Sequence, residues 1–440
     1  MTHRWLIGIT GIALLGGCAG QSVLVGEEGT TLEGSGGTSN MASNASGGQL
    51  TGSGGAPSVV VTSNSGGASV TGTTGGSTSD TGGSSPFPVP QQPADILGCT
   101  GGDAVALPPA VVATRLASFI YQGAPDASLL AAANSGALST TAGIACQARR
   151  MLGAPEAEAG VRELFRSWLG YGPTPAANAR YSVDSATYLA MVEETDRFAN
   201  YVFFTPASSF EDLLTAPYTF LDAALAAHYG ITFPGSAQGF VHTPLRAENA
   251  GVLTQGVFLN TGGVEVSISR RGTWISNQLR CTQIPPEPPS AMPPPLDPNF
   301  SGRAQLEAQV SAPNCAGCHL LIDPMGYGLE YFDGAGRFRA NDNGFFIDAS
   351  GTLPNSDTPV AFLGAPELGH ALSQDTSTLR CATSQVLQQA LRSTARSAEV
   401  VTSGSADDSL RTMGSVFQGT GKSLKELVIA AVTTPEFLAP

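Results

Sequence analysis

Two cysteines and a histidine in the second half of the chain have the spacing of a covalent haem attachment site. The run is Cys315-Ala316-Gly317-Cys318-His319, called the attachment motif below. The two thiols of such a run add to the vinyl groups on one haem edge, and the histidine places a ring nitrogen under the iron. A redox dithiol, a structural disulfide and half of a zinc site are the alternatives. Because zinc needs a second ligand pair nearby and a redox pair belongs between a strand and a helix, we predict a c-type haem.

The second axial ligand of that iron is not identified by spacing. Met325 is the nearest thioether, but it lies only six residues from His319, a short path around the haem edge. The more distant candidates are Met292, Met413 and His370. If one of them binds, electron transfer is favoured. A five-coordinate iron would instead take peroxide or a diatomic gas.

The residues that follow the motif have the composition of a haem pocket. Asp323 lies four residues after His319 and is a candidate acceptor for its ring N–H. The Asp323 carboxylate would equally suit a helix cap or an acceptor in a turn. Arg337 and Arg339 are candidates to pair with the haem propionates. Apolar walls would keep water from the iron and raise its potential. The wall residues that we expect are Ile322, Pro324, Tyr327, Leu329, Tyr331 and Phe332.

Residues 1–18 have the features of a lipoprotein signal peptide. A weakly basic start and a short apolar run precede Leu15-Gly16-Gly17-Cys18, which resembles a lipoprotein processing box. The apolar run is too short to span a bilayer, so cleavage before Cys18 is expected. Lipid on Cys18 would then anchor the protein to a membrane. The alternative is a simple secretory signal with an incidental cysteine, and either signal exports the chain.

Residues 19–92 are rich in glycine, serine and threonine and have scarcely a large apolar side chain, which predicts a disordered tether. The net charge of −14 argues against nucleic acid as a partner. The expected partners are a membrane, through the lipid anchor, and other redox proteins of the envelope. The expected location is the cell envelope, where the lipid would anchor the chain to the outer membrane.

Four further cysteines are an even number, which suits two disulfides in an oxidising compartment. Three connectivities are possible. We favour Cys99 with Cys146 inside the first folded segment, and Cys281 with Cys381 bracketing the haem segment.

The folded part of the chain is predicted to be mainly α-helical. Helical spacing of apolar residues indicates a helical domain at 93–280 and a C-terminal helical domain at 351–440. Between them lie a proline-rich, semi-rigid strut at 281–300 and a c-type haem-binding segment at 301–350. Within that segment, Asn341-Asp342-Asn343-Gly344 predicts a hairpin rather than a calcium site.

Local signals predict several helix ends. Ser209 with Asp212 resembles a capping box, and Phe220 to Tyr229 is predicted to form a helix that Gly230 ends. Ser423 is predicted to cap a later helix.

Two charged clusters in the helical domain allow more than one interpretation. Glu193, Glu194 and Asp196 lie on a long predicted helix, where a solvated helix face is preferred over a metal or acid-base site. Arg270 and Arg271 precede the last helix of the domain. They are candidates to pair with haem propionates or a partner's carboxylate, and ordinary surface ion pairing is the alternative.

The run from Cys315 to Arg339 resembles a group of large secreted bacterial proteins with cytochrome-c-like domains of unknown function. It reads CAGCHLLIDPMGYGLEYFDGAGRFR. The group also has an arginine-glycine-aromatic stretch followed by a proline-rich strut, matched here by residues 271–274 and 285–289. Upstream, residues 113–126 and 213–230 look like the helical domain that precedes the haem segment in that group.

This resemblance extends over about Pro108 to Pro440 and implies a haem and an envelope location without naming a reaction. The chain departs from the group at two places. Many relatives have a histidine six residues before the first haem cysteine, where this chain has Gln309, which disfavours two histidine ligands. Their segment after the later cysteine continues into a glycine-arginine pair, which residues 381–396 lack.

We interpret the chain as a cell-envelope lipoprotein that binds one haem c and serves in electron transfer. A haem-free surface scaffold or binding module, in which Cys315 and Cys318 form a disulfide, is the alternative from another class. A haem peroxidase with an open sixth position is a further alternative.

Overall fold

The computed structural model describes residue 99 and residues 101–174, 183–234, 238–260, 267–285, 297–311, 313–393 and 406–440. The signal segment with Cys18, the tether at 19–92 and Met292 lie outside the described residues, as does most of the predicted proline strut. Over the described ranges, no helix is both long enough and apolar enough to cross a membrane.

The prediction of a mainly α fold is confirmed, because helices form most of the described chain. The first group, in chain order, is α1 (Pro109–Ile120), α2 (Ala127–Asn134), α3 (Thr141–Met151), α4 (Ala157–Leu169), α5 (Ser185–Phe204), α6 (Phe210–Thr215), α7 (Ala223–Tyr229), α8 (Gly256–Leu259) and α9 (Ile268–Trp274). The second group is α10 (Gly302–Gln309), α11 (Pro313–Tyr327), α12 (Gly364–Gln374), α13 (Thr376–Ser393), α14 (Asp407–Gly419), α15 (Leu424–Val432) and α16 (Pro435–Leu438).

Local sequence signals account for several helix ends. Ser209 and Asp212 form the predicted capping box at the start of α6, and Ser423 caps α15 as expected. Gly230 ends α7 in the left-handed conformation that glycine adopts without strain. Pro324 lies inside α11, which continues to Tyr327.

Short antiparallel strand pairs connect the helices. They are β1 (Tyr218–Leu221) with β2 (Val241–Pro244), β3 (Asn341–Asp342) with β4 (Phe345–Phe346), and β5 (Ser350–Leu353) with β6 (Val360–Leu363). The β3–β4 pair is the predicted hairpin, with Asn343 and Gly344 at positive φ in its turn. In contrast, residues 220–229 were predicted as one helix, whereas the structure has β1 followed by α7, because Phe220 pairs with His242 across the β1–β2 ladder.

The N-terminal and C-terminal helices share one hydrophobic core. Helix α13 packs against α1 and α4, α15 against α3, and α12 against α6. Aromatic rings join the two parts, since Phe210 of α6 lies 5.7 Å from Phe417 of α14 and stacks on Trp168 at 6.0 Å. Residues 351–440, predicted as a C-terminal helical domain, place their buried faces in the same core cluster as the helices before them.

Two disulfides join described residues that are far apart in the chain. Cys99 is bonded to Cys146 of α3. Cys281 lies just after the π-helical segment Ile275–Leu279 that follows α9, and it is bonded to Cys381 of α13. These are the pairings that the sequence analysis favoured. The second disulfide closes the stretch of chain that contains α10 and α11.

Candidate functional site

Helix α11 carries the attachment motif in its first turns. Cys315 and His319 are four residues apart and therefore lie on one face of the helix, with Cys318 beside His319. The Cys315 side chain is buried and its sulfur is in a disulfide, whereas Cys318 has an exposed free thiol. The Cys315–Cys318 disulfide of the haem-free alternative is therefore not formed in this structure.

The imidazole of His319 is held by the carboxyl group of Asp323, one helical turn later. Nδ1 of His319 lies 2.9 Å from Oδ2 of Asp323. A carboxylate can only accept a hydrogen bond, so this contact places the ring proton on Nδ1. Any iron bound by this ring would then be bound through Nε2. Asp323 is 2% exposed, and its second oxygen accepts a hydrogen bond of 2.7 Å from Oγ of Ser269 in α9.

Close packing of α9 on α11 brings these three side chains together. A Cβ atom added to Gly272 would lie 1.9 Å from the carbonyl oxygen of Ile322. On the opposite helix, a Cβ atom on Gly326 would lie 2.1 Å from the carbonyl oxygen of Ile268. Reciprocal glycines thus let the two main chains approach one another, and Ser269 reaches Asp323 from the facing helix.

Arg271 is buried and binds main-chain carbonyl groups. Its Nη1 donates to the carbonyl oxygens of Leu329 and Phe332 at 2.9 and 2.8 Å, and its Nη2 donates to those of Asp333 and Leu259 at 2.6 and 3.0 Å. Burial lowers the pKa of its guanidinium to about 9. Both interpretations offered from the sequence, a haem propionate partner and a surface ion pair, are wrong for Arg271, because the folded turn after α11 occupies its donors.

Arg337 and Arg339, predicted to pair with propionates, are paired with carboxylates of their own segment. Nε of Arg337 lies 2.9 Å from Oδ2 of Asp333, on an exposed turn. Arg339 is mostly buried and lies 3.2 Å from the carboxylate of Glu330, while it also contacts Asp342. Burial raises the pKa of Glu330 to about 7, although the nearby Arg339 guanidinium opposes that shift.

The described candidates for the second axial ligand of the iron contact other parts of the protein. Met325 is fully buried in the core, farther along α11. Met413 is buried on α14, which packs against α13 and α15. His370 on α12 lies 2.9 Å, through Nδ1, from a carboxylate oxygen of Glu211. Met292 lies outside the described residues.

The side chains predicted as haem walls pack mainly into the protein. Leu329 and Phe332 belong to the common core, Tyr327 is buried, and Ile322 is buried against α9. The reason is that α9 covers the apolar side of α11. The sequence had predicted that this side would face the haem. Beside the motif, Leu320 is instead 69% exposed.

The acidic cluster on α5 is not the solvated face that its composition suggested. Glu194 is buried and accepts hydrogen bonds of 2.8 Å from the hydroxyl groups of Thr219 and Tyr229. Burial raises the pKa of Glu194 to about 8, against the effect of those hydrogen bonds. Asp196 is also buried and accepts a hydrogen bond of 3.0 Å from Nε of Arg166.

Two family models match the chain on either side of residue 240. Residues 107–231 match PSD4, a protein of unknown function (DUF1592), and residues 249–342 match PSCyt3, a protein of unknown function (DUF1588). The PSCyt3 range contains α9, α11 and the attachment motif, and its name is that of a cytochrome-like group.

These matches confirm the resemblance to proteins with cytochrome-c-like domains of unknown function. They end at residue 342, however, so the C-terminal part that the resemblance was taken to include lies outside both PSD4 and PSCyt3. No curated protein and no solved structure matches the chain.

The structure explains the arginine-glycine-aromatic stretch that the region matched by PSCyt3 shares with the cytochrome-c-like proteins it resembles. Arg271 binds the turn after α11, and Gly272 allows the close approach of α9. Trp274 stacks on Phe258 at 4.3 Å and donates to the carbonyl oxygen of Leu169, which joins the region matched by PSCyt3 to helix α4 in the region matched by PSD4. Ser269 was missed in the sequence, because its partner Asp323 is 54 residues away.

Proposed function

We propose that this chain is a cell-envelope lipoprotein that binds one haem c covalently and transfers single electrons. The observation that supports the proposal is the hydrogen bond of 2.9 Å between Nδ1 of His319 and Asp323, on the same helix face and turn as the two motif cysteines. A histidine that ligates a metal commonly donates its other ring N–H to a carboxylate, which fixes the tautomer and the ring orientation. The residues present therefore fit a haem.

Each residue of the motif would have a distinct role. Cys318 would form a thioether bond in which its sulfur adds to one vinyl carbon and the thiol proton is transferred to the other. Cys315, whose sulfur is in a disulfide in this structure, would add in the same way after a dithiol reductant of the maturation system has reduced it to the thiol. His319 would ligate the iron through Nε2, because Asp323 holds Nδ1. When bound, the haem would supply a one-electron couple between ferric and ferrous iron. The buried Asp323 would keep the imidazole fixed during that exchange.

The test is export of the chain in a host with a c-type haem maturation system, followed by haem staining of denaturing gels. Wild-type protein should keep its haem through denaturation, and Cys315→Ala and Cys318→Ala should each reduce the stain strongly. The paired replacement of Cys99 and Cys146 by serine removes a disulfide outside the motif and should leave the stain in place. Equal staining of the motif variants and the wild type would contradict attachment at α11.

A haem peroxidase is the second candidate, and a specific observation favours it. Met325 and Met413 are buried in the core and His370 is paired with Glu211, so the described candidates for a second axial ligand have other contacts. An iron with His319 alone would keep an open position for peroxide. High-spin ferrous spectra with peroxide turnover would favour the peroxidase, whereas low-spin spectra would favour electron transfer.

The envelope location and the membrane partner rest on the processing box that ends at Cys18. A thiol-linked diacylglycerol at this position would fix the chain to a membrane surface. Metabolic labelling with palmitate should mark the wild-type protein and not Cys18→Ser. Labelling of neither protein would contradict the lipid anchor while leaving the haem proposal standing.

A further inference from the structure

Three polar side chains form a chain of contacts between α9 and α11. Oγ of Ser269 donates to Oδ1 of Asp323 at 2.7 Å, and Nδ1 of His319 lies 2.9 Å from Oδ2 of the same carboxylate. Ser269 and His319 are 3.4 Å apart through Oγ and Nδ1. Both oxygens of the buried carboxylate are thus occupied, one by each helix.

The order of these groups excludes a nucleophilic serine. In a hydrolytic triad the histidine lies between the serine and the carboxylate, and it takes the hydroxyl proton. Here Asp323 lies in the middle, and the hydroxyl of Ser269 already donates its proton to the carboxylate. The arrangement instead fixes the rotation of the Asp323 carboxyl group about its terminal torsion, which is otherwise soft.

A carboxylate in this position changes what the imidazole can offer an iron. Accepting the Nδ1–H bond makes the ring more basic and Nε2 a stronger electron donor. A hydrogen bond to an ionised group is stronger where water is excluded, and Asp323 is 2% exposed. A stronger donor stabilises ferric iron more than ferrous iron, because the ferric ion has the higher charge.

We infer that Ser269 is a positioning residue that acts through Asp323 to make His319 a strongly donating axial ligand, and so to lower the reduction potential of the bound haem. This inference rests on the proposed haem function and adds to it a residue from α9. The inference concerns the reduction potential, which the attachment of haem alone would not determine.

The midpoint potential of the matured protein separates this role from a merely structural one. Asp323→Asn keeps an acceptor of similar shape but removes the charge, and should shift the equilibrium between ferric and ferrous iron toward ferrous by about tenfold. For a one-electron couple this is about 59 mV. Ser269→Ala should shift the potential in the same direction by a smaller amount, and Ser269→Thr, which keeps the hydroxyl, should restore it.

Thr273 provides a matched control on the same helix. Its hydroxyl donates to the carbonyl oxygen of Ser269 at 2.8 Å and has no hydrogen bond to Asp323 or His319 among those described for it. Thr273→Ala should therefore leave the potential unchanged. Because Ser269 is argued to act through Asp323, the double variant of Ser269→Ala with Asp323→Asn should match Asp323→Asn alone. Additive shifts would mean that Ser269 acts independently.

The unloaded protein provides a readout that does not depend on haem. In nitrogen-15 NMR spectra at neutral pH, the His319 ring should bear its proton on Nδ1, and Ser269→Ala should speed exchange of that proton with water. If the wild type takes no haem but this tautomer and its protection are seen, the haem function fails while the positioning contact stands. A proton on Nε2 in the unloaded wild type, or an unchanged potential in Ser269→Ala, would overturn the inference.

Discussion

Gly272 of α9 lies so close to Ile322 of α11 that a methyl group on the glycine would come within 1.9 Å of the carbonyl oxygen of Ile322. The atom in the way belongs to the main chain, so it cannot rotate aside. We expect Gly272→Ala to separate the helices and to lower the free energy of unfolding by about 3 kcal/mol. Urea unfolding measures this change.

Gly414 is the matched control for that substitution. It lies inside α14 with no heavy atom within 4 Å of an added Cβ, so Gly414→Ala should stabilise the helix by about 0.5 to 1 kcal/mol. Equal effects of the two substitutions would contradict the close packing of α9 on α11.

Arg271 should tolerate replacement by lysine poorly. A lysine cannot reproduce the planar set of donors that now binds the carbonyl oxygens of Leu329, Phe332 and Asp333. Leaving buried carbonyl groups unpaired should cost about 3 kcal/mol of the free energy of unfolding. The neighbouring Arg270 is exposed, and Arg270→Lys should change stability by less than about 0.5 kcal/mol. Similar denaturant midpoints for both variants would contradict the role assigned to Arg271.

The two arginines show why part of the site could not be predicted from the sequence. Arg270 and Arg271 are adjacent and chemically alike, and only the direction of each side chain on α9 separates an exposed residue from a buried one. The acidic residues on α5 present the same problem, because Glu194 is buried by β1 and α7, which follow it in the chain. In contrast, the His319–Asp323 contact could be predicted, since residues four apart meet on a helix.

Glu194 should make stability fall as the pH rises. Burial raises its pKa to about 8 in the folded protein, above the ordinary value of 4.5 that it has in the unfolded chain. The folded state therefore binds more protons between these values, and the stability present below about pH 4.5 is lost as the pH rises through about 8. Glu194→Gln should be more stable than the wild type at pH 8 by at least about 1 kcal/mol, and close to it at pH 5.

Thermal unfolding at several pH values would test this, with the difference between variant and wild type as the measured quantity. The wild type must be subtracted because burial also raises the pKa of Glu330, to about 7. Glu330 therefore also makes the stability fall as the pH rises. Glu193 is partly exposed and paired with Arg197, so Glu193→Gln is the control and should follow the wild type. Parallel curves for Glu194→Gln and the wild type would contradict a buried, protonated carboxyl group.

The disulfide between Cys281 and Cys381 should contribute strongly to stability. It spans 100 residues, and the chain-entropy estimate for a loop of that length is about 4.7 kcal/mol. The Cys99–Cys146 disulfide spans 47 residues, for which the estimate is smaller. Replacing both cysteines of a pair by serine should therefore lower the melting temperature more for the 281–381 pair. The reverse order would show that the entropy of the unfolded chain does not dominate.

Local secondary structure could be predicted from the sequence more fully than the arrangement of the core. Periodic apolar residues, the Ser209 cap and the hairpin turn at Asn343 are local signals, and each was placed from a few neighbouring residues. The common core could not be predicted from local signals, because contacts such as that between Phe210 and Phe417 join residues about two hundred positions apart. Ser269 could not be predicted for a similar reason, because its partner Asp323 is 54 residues away.

The covalent haem on Cys315 and Cys318 is tested most directly by the pyridine haemochrome spectrum of the exported protein, purified from a host with a c-type haem maturation system. The spectrum should be that of a haem with both vinyl groups converted to thioethers, at one haem for each chain, after unbound haem has been extracted with acid and acetone. A correctly exported and folded protein that retains no haem after that extraction would contradict the proposed function.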